Sequence, residues 1–187
     1  MTERLAQVIA AIDAANAADP NTEDGTPAAL VYGQRMTTEL DRLEPEASDL
    51  LRIAARGQHV ERWLLPRDAY PDGRAGYFAW RREQGRRHAN RIAGMMEEAG
   101  YPEPDRARVG TMLRKEALKR DTEVQALEDV ICFVFLRWYF ADFAEGRSNA
   151  SLERIVSRTA AKMSEAGRAR ALAEFDLPES FAAAFRG

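Results

Sequence analysis

Apolar positions three and four residues apart recur along almost the whole chain, and strict alternation over a strand's length does not. Leu5, Val8, Ile9 and Ile12 follow Thr2, a good N-cap, and predict a helix through about Asn16. AADPNTEDGTP, residues 17–27, is a polar loop by its Asp, Asn, Gly and Pro content. Pro27 then opens a helix over 28–43 with Leu30, Met36, Leu40 and Leu43 inward. Ser48 or Glu46 starts another, carrying Leu50, Leu51, Ile53, Ala54 and Trp63 to about Leu65, where Pro66 stops it. RDAYPDGRAG, residues 67–76, is a turn-rich connection into a long helix over about 74–98, with Tyr77, Phe78, Trp80, Ile92, Met95 and Met96 as its apolar positions. Pro104 begins a helix to about Lys115, burying Val109, Met112 and Leu113. Asp121 or Thr122 caps the next, to about Glu145, whose centre VICFVFLRWYFADF is apolar nearly all round and marks the core helix. Ser151 caps a helix to about Glu165; a further helix spans about 167–175, and 180–185 adds a final turn. The pattern predicts an all-α, single compact multi-helix domain over 1–187, with no repeat, internal linker or sustained heptad.

Composition changes this picture little. Hydrophobic residues are 45% and charged residues 30% of 187, enough for a sizeable core. Cys132 is the one cysteine and lies in an apolar run, so no disulfide framework forms within the chain and a reducing cytoplasm is expected. The longest apolar run, Val130 to Leu136, is far too short to span a bilayer, and no membrane role is expected. Charge is more informative. The net value is −3, which weighs against long nucleic acid as a partner. Yet of 27 basic residues 24 are arginine, and ten of those (52, 56, 62, 67, 74, 81, 82, 86, 87 and 91) lie between Arg52 and Arg91 against four acids.

That same stretch holds both histidines of the chain, His59 and His88, with Trp63, Tyr77 and Trp80 close by in sequence. Helical spacing puts Arg52, Arg56, Arg62 and Trp63 beside His59, and Gln84, Arg91 and Ile92 beside His88. Glu128 and Asp129 stand at the entry to the most apolar helix, where a buried carboxylate needs an arginine, a hydrogen-bond cage or a cation. Two imidazoles and a carboxylate suit a borderline divalent metal with open positions, which makes His59, His88 and Asp129 the candidate ligands. Such an ion would activate a water, with Glu61 or Glu128 as general base. Arg56, Arg62, Arg74, Arg81 and Arg87, with Trp63 and Trp80, are the candidate binders of a small phosphate-containing ligand. Each element also has a structural reading: core histidines, a carboxylate anchoring one arginine, aromatic packing, and a solvated arginine face.

The residues QHVERW (58–63), YPDGR (70–74), GYFAWRREQGRRHA (76–89) and LEDVICFVFL (127–136) make the chain resemble a family known as domain of unknown function 4202. A second resemblance is to the HD-domain metal-dependent phosphohydrolases, with His59, His88 and Asp129 as analogues of their ligands. Ala89 stands where the HD pattern has a metal-bridging aspartate, so this resemblance implies at most one metal. It implies an HD-like helical fold and hydrolysis of a nucleotide or other phosphoester. The alternative is a metal-free, non-catalytic module that binds an anion or nucleotide through its arginines. A di-iron carboxylate bundle would need paired Glu-x-x-His units, and the chain has none. The substrate, the oligomeric state and any closure of 17–27 over a ligand stay open at this level.

Overall fold

A computed structural model describes residues 2–186. The chain is mostly helical and falls into two compact units, one up to Glu116 and one from Ala117 onward, with no linker composition marking the boundary.

The first unit opens with α1 (Glu3–Asn16), capped by the Thr2 hydroxyl accepting from the Leu5 N–H, as the sequence predicts. Residues 22–27 fold into a two-residue hairpin, β1 (Thr22–Glu23) and β2 (Thr26–Pro27), in place of the expected loop. Asp24 and Gly25 both take positive φ, 49° and 79°, which is the geometry the twist of a tight hairpin demands. Then come α2 (Ala28–Leu43), α3 (Asp49–Arg56), α4 (Gly73–Glu98) and α5 (Glu103–Leu113). Gly100, at φ 78°, turns α4 back toward α5, which packs against it. Leu5, Val8, Ile12, Met36, Leu40, Ile53, Ile92, Met96 and Met112 are fully buried and form the core of this unit. Full burial of such a side chain stabilises by about 1.5–3 kcal/mol.

One expectation fails here. The helix predicted to reach Leu65 ends at Arg56, and 57–66 is a loop with a short 3-10 turn over Arg62–Leu64. The apolar pattern does run on through Trp63, Leu64 and Leu65, but tertiary hydrogen bonds described below hold that segment out of the helix. Tyr77 and Phe78, two of the apolar positions of the long helix, are 40% and 48% exposed.

The second unit comprises α6 (Thr122–Val134), a π-helical turn over Phe135–Tyr139, α7 (Phe140–Ala144), α8 (Asn149–Lys162), α9 (Glu165–Glu174) and α10 (Glu179–Arg186). Asp121 caps α6 by accepting from the Glu123 and Val124 N–H groups. The single helix expected to Glu145 is interrupted at 135 because the π turn widens the coil beneath the Phe135, Phe140 and Phe143 rings. Ser148, not Ser151, occupies the N-cap position of α8.

Candidate functional site

The site is a cavity of about 350 Å³ in the first unit, walled by the loop after α1, the start of α2, the 59–67 segment and Trp80 of α4. Its construction begins at Gly57. A Cβ there would lie 2.6 Å from Ile92 Cδ1, so glycine lets the chain leaving α3 run directly against α4. Glu61, in the left-handed region at φ 50°, donates its N–H to Asn16 Oδ1 at 3.1 Å and redirects the chain. Gln84 of α4 donates its amide to the carbonyls of Arg62 (3.0 Å) and Leu65 (2.9 Å). Trp80 Nε1 donates to the same Leu65 carbonyl at 2.9 Å. Those three bonds satisfy backbone acceptors that a continued helix would have used.

The result brings His59 and His88 together, with ring centroids 6.1 Å apart. His59 stacks on Tyr32 of α2 at 4.1 Å and 19° and lines the cavity. His88 is 4% exposed, one layer behind. Burial pushes the His59 ring well below the usual histidine range, and the charges of Arg62, His88, Lys115 and Arg81 push the same way. His88 is lowered to about 3, by burial first and then by Arg62 and Arg87, against a hydrogen bond with the Gln58 backbone. Both rings are therefore neutral at pH 7.

A pH dependence follows. The unfolded chain takes up a proton on each ring near 6.5, whereas folded His88 does so only at about 3. Between those values the unfolded state binds more protons, so the His88 contribution to stability is greatest above 6.5 and falls as pH drops through the window, by up to about 1.4 kcal/mol per pH unit. Denaturant midpoints between pH 7.5 and pH 5.5, where carboxylates stay ionised, are expected to fall in the wild type and to fall less steeply in His88→Gln. Parallel slopes for the two proteins would show that His88 titrates normally in the fold.

Arg62 is the charged group of the cavity. Its guanidinium lies over the Trp80 ring at 4.5 Å, and among the described residues it has no hydrogen bond and no acidic partner. Burial, then the charge of Arg81, lower its pKa. Trp63 and Arg67 share the wall. Arg67 is committed to the Tyr70 and Pro71 carbonyls at 2.8 and 3.0 Å. Asp19 is the one acid lining the cavity, and its carboxylate is taken up by the Asn21 N–H, the Asn21 amide and the Ala29 N–H at the start of α2.

The other predicted site residues are placed elsewhere. Arg56 is 9% exposed and forms a bidentate pair with Asp13 of α1, both contacts 2.6 Å, so it does not line the cavity. Glu61 accepts from Arg91 Nε through both oxygens at 3.1 Å, and it too is not part of the wall. Arg74 lies over Phe78, Arg81 donates to the Tyr77 hydroxyl at 3.1 Å, and Arg87 is exposed. Asp129 belongs to the second unit, where its carboxylate accepts from Gln125 (3.0 Å), the Ser164 N–H (2.8 Å) and the Ser164 hydroxyl (2.5 Å). It thereby anchors the start of α9, and a Cβ at Gly167 would meet its Oδ2 at 2.8 Å. Glu128, also buried in that unit, has Lys162 Nζ at 3.7 Å. Among the described residues no group of three or more His, Cys, Asp or Glu side chains is placed to hold a metal ion, so the His59, His88 and Asp129 set is not assembled as ligands. The field of Arg62, Arg81 and Lys115 at His59 also opposes a cation there.

Asp19, Asn21, Tyr32 and Arg67 were not legible as site residues. The sequence reads 17–27 only as a polar loop, and nothing local tells that Tyr32 stacks on a histidine 27 positions away.

Fold and site together define a mostly helical protein with an arginine-bearing cavity in its first unit. The chain belongs to the family described as Domain of unknown function (DUF4202), whose model matches residues 6–184. No curated protein and no solved structure matches it. Among the described residues no helix is long and apolar enough to cross a membrane.

Proposed function

We infer that the first unit binds a small phosphate-bearing anion of about nucleotide size, without metal. One observation carries this reading: Arg62 is half-buried in a cavity, lies over Trp80, and among the described residues forms no ion pair with a carboxylate. Stacking occupies the guanidinium face and leaves its N–H donors for a ligand in the plane. An anion there relieves the repulsion between Arg62 and Arg81. Neutral His59 has ring nitrogens with no partner among the described residues, and these serve a ligand hydroxyl or amide. The volume sits at the small end of ligand pockets, which run from about 300 Å³. Hydrolysis would need an activated water. Glu61 is tied to Arg91, and among the described residues no three His, Cys, Asp or Glu side chains gather as metal ligands, so the geometry favours binding over cleavage.

Calorimetric titration with thymidine 5′-monophosphate and with inorganic phosphate at low salt tests this. Arg62→Met keeps the stem and its packing on Trp80 and is expected to weaken nucleotide binding by about 30-fold, in line with loss of charge-assisted hydrogen bonds. The melting temperature without ligand is expected to stay the same or rise. Failure of the wild type to bind either probe, or unchanged binding by the variant, would overturn the reading.

A further inference from the structure

We propose that the cavity is the end-stop of a single-stranded nucleic acid site, with a terminal phosphate beside Arg62 and the following bases stacked on Tyr77 and Phe78. This rests on the phosphate-pocket reading above. Three aromatic rings run outward from the cavity along the first turns of α4: Trp80 in the wall, Tyr77 at 6.0 Å from it, and Phe78 at 5.7 Å from Tyr77. Each ring has its own guanidinium. Arg62 lies over Trp80 at 4.5 Å, Arg81 over Tyr77 at 5.9 Å and Arg74 over Phe78 at 5.4 Å. None of these three arginines has an acidic partner among the described residues.

A repeated pair of ring and cation matches a polymer that presents a base and a phosphate in turn. Tyr77 and Phe78 are 40% and 48% exposed, so ring surface is open where a base would lie. Arg82 and Arg87, both exposed, extend the positive strip. Its acids are Asp68 and Asp72 in the turn ahead of α4, and Glu83, which Arg86 binds at 2.6 Å. The charge complementarity is thus local and short, which fits a strand end of a few nucleotides and a chain whose net charge is −3. A base stacked on an exposed aromatic adds about tenfold to affinity and does so for any base.

The test compares thymidine 5′-monophosphate with oligothymidylate and oligouridylate of about six nucleotides, within the site sizes known for single strands. Each oligomer carries a free 5′-phosphate and a fluorophore at its 3′ end for anisotropy. At least one oligomer is expected to bind about tenfold or more tighter than the mononucleotide, and the tighter of the two says whether the source is DNA or RNA. The double variant Tyr77→Ala, Phe78→Ala is expected to remove that gain and leave mononucleotide binding as it was. Both side chains are exposed, and an unchanged melting temperature confirms that α4 is intact. Equal affinity for mononucleotide and oligomers overturns the proposal and leaves the pocket standing. So does an oligomer gain that survives the double variant. A phosphorylated peptide of similar length that binds as tightly as the oligomers also overturns it, in favour of a protein partner. If the mononucleotide does not bind at all, the pocket reading fails and this one with it.

Discussion

Gly76→Ala is expected to destabilise the protein by about 3 kcal/mol or more, the upper part of the range for overpacking a tight site. A Cβ at position 76 would lie 1.9 Å from the Pro71 carbonyl oxygen and 2.8 Å from its carbon. Those are backbone atoms, so no side chain can swing aside to make room. Gly76 is buried in the first turns of α4, and the 70–73 turn folds back over it. The displaced oxygen is also the acceptor of Arg67 at 3.0 Å, and Arg67 holds the Tyr70 carbonyl as well. Moving the turn therefore disturbs Leu65, Pro66 and Arg67, three neighbours in the cavity wall. Chemical denaturation should show the midpoint fall, and phosphate binding should weaken in whatever fraction stays folded. A midpoint within about 0.5 kcal/mol of wild type, the scatter of ordinary surface changes, would mean the turn does not pack on α4 in this way.

Asp13→Ala is expected to cost about 3 kcal/mol, at the lower end of the range for breaking a buried ion pair because the Asp13 side chain is 31% exposed. The carboxylate receives two 2.6 Å hydrogen bonds from Arg56, which itself is 9% exposed and has one other side-chain partner, the Thr37 hydroxyl at 3.2 Å. Without Asp13 a guanidinium is left buried and nearly uncompensated between α1, α2 and α3. Arg56→Met should cost less. It removes the buried charge together with its bonds and keeps an apolar stem of similar length, leaving Asp13 with better access to water. The order of the two variants is thus part of the prediction. If Arg56→Met proved the more damaging, packing of the arginine stem rather than its pairing would dominate this junction. Neither change touches the cavity wall, so ligand affinity of the folded protein should be unaffected.

The contrast between Arg56 and Arg62 shows why the site was half legible. Both are arginines within a few residues of His59, and on a continuous helix both would flank it. The helix stops at Arg56. Arg56 then pairs with Asp13, a residue 43 positions earlier, whereas Arg62 lines the cavity and among the described residues forms no ion pair. Local periodicity carries no term for a glycine that must pass Ile92 or a glutamine that claims two carbonyls from another helix. The same holds for Asp129. Its burial beside an apolar stripe was readable, but its partner Ser164 lies 35 residues later, and the hydrogen bonds that occupy it are with that residue and Gln125.

By itself the amino-acid pattern determined the helical class, the bounds of α1 and α2, the start and end of α4, a cap at Asp121 or Thr122, and the stretch in which histidine, arginine and tryptophan gather. These depend on spacing within one or two turns and on capping chemistry, which act over a few residues. Tertiary structure alone decided which arginine is left without an acid, that the two imidazoles meet, and that Asp129 serves its own unit. Pairing between charges and the desolvation of rings depend on distances through space, and a chain's order along its sequence does not contain them.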